Sequence, residues 1–154
     1  MEQPIVQIKK AVTALLKGID PETDIFFEEI KGTGEKHGLT IPKTWYFVDL
    51  VSVGNKTVDQ FFTDTGVMVD IAYHDEHESN TAYLVKGAEI DAAVRPVFRF
   101  GDRHITVPDA SINVVDHVLH YGFTVRFRQA WEQTNEFACM GELEVAARND
   151  WRDI

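Results

Sequence analysis

The chain has 154 residues with 25 acidic against 15 basic side chains, a formal charge of −10, and this excess of acid opposes nucleic-acid binding, which needs clustered positive charge against phosphate. Hydrophobic residues at 44% and charged residues at 26% exclude a disordered chain, and one core at this length buries roughly two thirds of the unfolded surface. No apolar run approaches the roughly 18–20 residues that cross a bilayer, and Cys139, the single cysteine, allows neither an intrachain disulfide nor a thiolate metal cluster.

Ile5, Ile8, Val12, Leu15 and Leu16 recur at helical spacing, which predicts an amphipathic helix over 4–17 with Pro4 in its first turn and Gly18 as its C-terminal cap. A polar-faced helix here is not a signal peptide, so the protein is expected in the cytosol. Ile25, Phe26 and Phe27 predict a short strand over 24–30. Lys31 to Pro42, with Gly32, Gly34 and Gly38 around Lys36, reads as a loop that a partner orders.

Trp45, Tyr46, Phe47, Val48, Leu50 and Val51 predict a strand over 44–53, apolar on both faces and hence covered on both, before a turn at Gly54-Asn55. Val67, Val69, Ile71 and Tyr73 alternate with Met68, Asp70, Ala72 and His74 in a third strand, bulged near Gly66. Leu84, Val85, Ala88, Ile90, Ala92 and Val94 predict a second helix over 79–94, capped by Ser79 or Asn80 and stopped by Pro96.

Phe98–Phe100 and Arg103–Val107 flank Gly101-Asp102, a pairing that suits a type II′ hairpin. Ser111–Val115 then turns at Asp116-His117 into a long strand over 118–128. Along it Leu119, Tyr121, Phe123, Val125 and Phe127 face one way and His120, Gly122, Thr124, Arg126 and Arg128 the other. Leu143, Val145 and Ala147 suggest an edge strand over 142–147. With no repeat and no linker, residues 1–154 read as a single α+β domain with two helices packed on a mainly antiparallel sheet.

Candidate chemistry is sparse. His74-Asp75-Glu76-His77-Glu78 crowds imidazoles and carboxylates together, and a small metal-dependent enzyme or ligand-binding domain centred on His74 and His77 is the alternative function this permits. The helical His-Glu-x-x-His spacing is missing, so the segment reads first as a solvated loop. His104, His117 and His120 near Asp102 and Asp116 suggest acid–base machinery, but alternation turns them outward with no nucleophile at hand. Gly32-Thr33-Gly34-Glu35-Lys36 lacks phosphate-loop spacing, and Glu28 and Glu29 would face opposite ways on a strand. No catalytic, cofactor-binding or metal residue is therefore assigned. Arg126 and Arg128 share a strand face, with Arg99 and Arg103 expected nearby. In an acidic chain this stripe is a candidate assembly interface, together with His117 and His120.

Several segments together resemble the tail terminator proteins of long-tailed phages and prophages, in particular a short-chain group from Gram-positive bacteria. They are the helix Ile5–Leu16, the strand Phe26-Phe27-Glu28-Glu29, the stretch Pro42-Lys-Thr-Trp-Tyr-Phe-Val-Asp-Leu50, the strand Val67–Tyr73 and the hairpin Val115–Phe127. The chain departs from that pattern at His117, where a glycine is usual after the turn aspartate, and the tail over 129–154, including Trp131 and Trp151, falls outside the match. The resemblance implies a structural virion protein with no cofactor and no reaction. It implies a homo-oligomeric ring, a hexamer, that caps the tail tube, stops its elongation and receives the head through a head-completion or connector protein. Gly32, Gly34, Lys36 and Gly38 then become a candidate mobile docking loop. The resemblance implies neither a membrane nor a sequence-specific nucleic acid as partner.

Overall fold

The computed structural model describes residues 2–27 and 43–131. Helix α1 spans Pro4–Ile19 and buries Ile8, Val12 and Leu16, one residue per turn on the predicted face. It runs through Gly18 and ends where the Asp20 amide donates to the Leu16 carbonyl at 2.8 Å. Strand β1, Asp24–Phe26, pairs in parallel with the start of β2, Trp45–Thr57. Strand β3, Phe62–His74, returns antiparallel to β2.

Helix α2, Asn80–Val94, starts at Ser79, whose hydroxyl accepts from the Ala82 amide at 3.4 Å. The hairpin β4, Val97–Phe100, and β5, Arg103–Thr106, stands apart from the main sheet. Gly101 alone in its two-residue loop has positive φ, as a type II′ turn requires. Strand β6, Ser111–Val115, and the long strand β7, Val118–Ala130, complete a sheet of order β1-β2-β3-β7-β6.

This is an α+β fold in two layers. Tyr46 and Val48 of β2, Val67, Val69, Ile71 and Tyr73 of β3, and Leu119, Tyr121, Phe123 and Val125 of β7 form one buried sheet face. The two helices and the β4–β5 hairpin cover it. Phe98 and Phe100 of the hairpin meet Phe123 and Phe127 edge-on, each with ring centroids 5.3 Å apart. Tyrosine hydroxyls tie the layers together: Tyr46 donates to Asp20, and Tyr121 donates to Asp91 at 2.7 Å. Burial first, and these carboxylate partners second, push both tyrosines well above their ordinary pKa.

Three expectations need correcting. Among the described residues strand β2 is covered along its length on one face only; on the other Trp45 and Phe47 are half-buried while Val51 and Val53 lie exposed, and β1 pairs with just its first three residues. Gly54-Asn55 is no turn, because β2 continues to Thr57 through a bulge between Ser52 and Gly54. The buried stripe of α2 is Tyr83, Gly87, Ile90 and Val94, while Leu84 and Val85 are exposed. The stripe is set by contacts from elsewhere. Tyr83 donates its hydroxyl to the His117 carbonyl at 2.5 Å, and Gly87 lets Ile112 of β6 approach so closely that its Cγ2 lies 3.0 Å from where a Cβ would stand. The proposed loop 31–42, Glu28 and Glu29, Cys139, and the suggested strand over 142–147 lie outside the described residues.

Candidate functional site

The sheet face turned away from the helices is built in rows by strand register. Across β2, β3 and β7 these rows are Asp49–Asp70–Gly122, then Val51–Met68–Thr124, then Gly54–Gly66–Arg126, then Lys56–Asp64–Arg128. Side chains two apart on a strand share a face, so acidic, apolar and basic rows succeed one another along one open surface. Val51 is 43% and Met68 39% exposed.

The cations in these rows differ in how they are held. Arg128 grips Asp64 with two nitrogens at 2.8 and 3.1 Å. That guanidinium holds the Asp64 carboxyl below its usual range, and the carboxylate raises Arg128 in turn. Arg126 has no ion pair among the described residues. It lies over Gly66, its Nη1 3.2 Å from where a Cβ would stand, with Val53 Cγ2 on the other side at 2.8 Å. Lys56, Asp64, Arg126 and Arg128 border an open cleft of about 490 Å³ above the Gly54–Gly66 pair. His120 Nδ1 is 3.3 Å from Asp70, while Asp49, directly across from Asp70, has no ion pair among the described residues.

Two other surfaces adjoin this face. Beyond the core, β2 and β3 run on together with Val58, Phe61 and Phe62 exposed at their far end. Asp59 holds that turn by accepting from the Phe61 and Phe62 amides at 2.7 and 2.9 Å. At the opposite end sit the His74–Glu78 loop and the Asp116-His117 turn, both of whose residues have positive φ. His74 Nδ1 donates to the Lys43 carbonyl at 2.6 Å, its Nε2 lies 3.2 Å from Glu78, and its ring stacks on Trp45. His77 is 79% exposed beside Glu76. With His74 engaged and His77 turned out, the two imidazoles do not converge. Among the described residues no three His, Cys, Asp or Glu side chains are arranged to hold a metal.

The six residues of the expected assembly stripe therefore do not form one patch. His120, Arg126 and Arg128 share the open face. Arg103 reaches β7 from the helix-covered side, donating to the Arg128 carbonyl at 2.7 Å with its guanidinium over the Phe127 ring. Arg99 borders a surface cleft beside Glu2, Gln7 and Lys10 of the N-terminal region. His117 is exposed in its turn, 3.8 Å from Glu78. Sequence reasoning did not single out Asp49, Asp70, Met68 or the Phe61–Phe62 tip. The alternation over 67–74 hinted at two of them, Met68 and Asp70.

Among the described residues no helix is long and apolar enough to cross a membrane. No curated protein matches the chain. A sequence model of one family covers residues 7–136, from the second turn of α1 past the end of β7. The chain belongs to the phage tail terminator proteins.

Proposed function

We propose that the chain works by assembly, not catalysis. Copies close into a ring, a hexamer by family resemblance, on the last ring of the tail tube, stop its elongation and present the surface to which a head-completion or connector protein binds. It then resides in the virion tail, after assembly in the host cytoplasm. Family membership carries this reading, and the division of the surface supports it. A closed ring needs two different complementary patches on each subunit, plus a third surface for the tube. Arg126, His120 and the partnered Arg128 on the open face provide one candidate ring patch. The exposed Val58, Phe61 and Phe62 at the β2–β3 end provide a candidate apolar contact with the tube. Gly32, Gly34, Lys36 and Gly38 stay the proposed docking loop, and Arg99, Arg103 and His117 the proposed flanking contacts.

The test mixes the purified chain with polymerising tail-tube protein and follows tube length by electron microscopy. Capped tubes of limited length carrying a terminal ring are expected, and Phe61→Ser with Phe62→Ser should abolish capping while the fold persists. Tubes that elongate unchanged in the presence of excess chain defeat the reading.

A further inference from the structure

The open face is complementary to itself. Taking Val51–Met68–Thr124 as the central row, the row two residues to one side is Asp49–Asp70–Gly122, and the next row on the other side, two residues away on β3 and β7 and three on β2 where the bulge adds one, is Gly54–Gly66–Arg126. Each lies about 7 Å from the centre at the usual rise of a strand. A two-fold axis lying along the central row, between two sheets packed face to face, exchanges those flanking rows. Asp49 of one copy then stands over Gly54 of the other, Asp70 over Gly66, and Arg126 over Gly122, so every charged side chain of these two rows opposes a glycine.

Two further observations select a second copy as the occupant. Asp49 and Asp70 are direct cross-strand partners of like charge, an arrangement that is unfavourable unless a cation is supplied, and among the described residues His120 reaches only Asp70. Arg126 meanwhile has no carboxylate among the described residues, and its guanidinium lies over Gly66, the position that faces Asp70 across the axis. The exposed Val51 and Met68 between them would bury against their own copies. Packed sheets rotate by about 30° against each other, which displaces the ends of strands most and the central rows least.

We propose that two copies of this chain pair face to face through the open side of the sheet, about a two-fold axis along the Val51–Met68–Thr124 row, with Arg126 of each reaching Asp49 and Asp70 of the other. This pairing does not rest on the ring reading. It occupies Arg126, so a paired chain cannot at the same time use that residue in a ring contact, and pairing would restrain assembly until a tail competes for the chain.

The test uses the full chain alone, without tubes. Sedimentation across a concentration series should show a monomer–dimer equilibrium, and Arg126→Glu should raise the dissociation constant roughly tenfold or more. The Asp49→Lys, Asp70→Lys double variant should fail equally. Mixing it with Arg126→Glu should restore a heterodimer, since both contacts are then opposite in sign. In a Cys139→Ser background, Met68→Cys treated with a short bis-maleimide should give a covalent dimer, and Val85→Cys on the exposed side of α2 should not. Only a two-fold axis brings Met68 to its own copy, whereas a cyclic contact joins different residues. A strictly monomeric chain overturns the pairing, as does an oligomer that forms without the Met68 cross-link. The pairing is read on the chain alone and capping on tubes, and a chain that stays monomeric can still cap, so the two readings fail separately.

Discussion

Strand β7 presents two faces of one backbone, and they obey different rules. Toward the helices Leu119, Tyr121, Phe123 and Val125 are buried in one core with residues of α1, α2, β2, β3 and β4, so shape and volume decide what fits. On the reverse, among the described residues, His120, Thr124, Arg126 and Arg128 meet only the neighbouring strands, and register decides which charges meet. The first face determines whether the chain folds, and the second is left to determine what it meets.

Truncation should separate the faces most sharply. Leu119→Ala leaves a void beneath the helices and should cost about 3 kcal/mol, by the usual penalty for deleting a buried leucine side chain. Thr124→Ala, five residues along on the other face, should stay within about 0.5 kcal/mol. Urea denaturation of both variants checks this, and equal losses would mean that the open face is packed in the folded chain.

The turn that starts β7 belongs to neither face, and there the backbone sets the cost. Asp116 and His117 have φ of 51° and 62°, the left-handed pair of a type I′ hairpin, in which glycine is favoured at the second position. The Tyr83 hydroxyl holds the His117 carbonyl, a contact any residue retains. His117→Gly should therefore stabilise the fold by about 1 kcal/mol. A loss in thermal melting would show instead that the imidazole near Glu78 contributes more than the strained backbone costs.

What could be read in advance follows the same division. The period-two pattern of β7 displays its own buried face, so Leu119 to Phe127 were legible, as were α1 and both hairpins, whose turn residues are local. The aromatic and branched residues of β2 suggested two covered faces because composition does not reveal what lies opposite. Leu84 and Val85 in α2 misled for a related reason: Tyr83 and Gly87 face the sheet through contacts with His117 and Ile112, remote in sequence. Each row of the open face ends on β7, more than 70 residues after its β2 member, and no single segment contains it. Arg103 was expected beside Arg126 because the hairpin was placed without knowing which side of the sheet it packs on.

The smallest expected effect concerns Arg128 and Asp64, an ion pair on the open face with side chains 56% and 42% exposed. Well-made geometry does not make such a pair stabilising, since solvent screens it and two long side chains lose freedom to form it. Arg128→Ala should leave the urea midpoint at neutral pH unchanged within error. It should nonetheless move a titration. Asp64 is held below its ordinary 3.8 chiefly by the hydrogen bonds from Arg128, so removing the guanidinium should raise its pKa toward that value, visible by carboxyl NMR. A depressed carboxyl contributes stability above its unfolded pKa and loses it as pH falls through the folded one, so any contribution from the pair fades only below about pH 4. The contrast is with Asp91, lowered first by Arg95 and also by the buried Tyr121 hydroxyl. Acid should therefore weaken the attachment of α2 to the covered face through Asp91, while the loss of Asp64 stays confined to the open face. Equal acid sensitivity of Arg128→Ala and Asp91→Asn would show that the open-face pair is part of the fold's support after all.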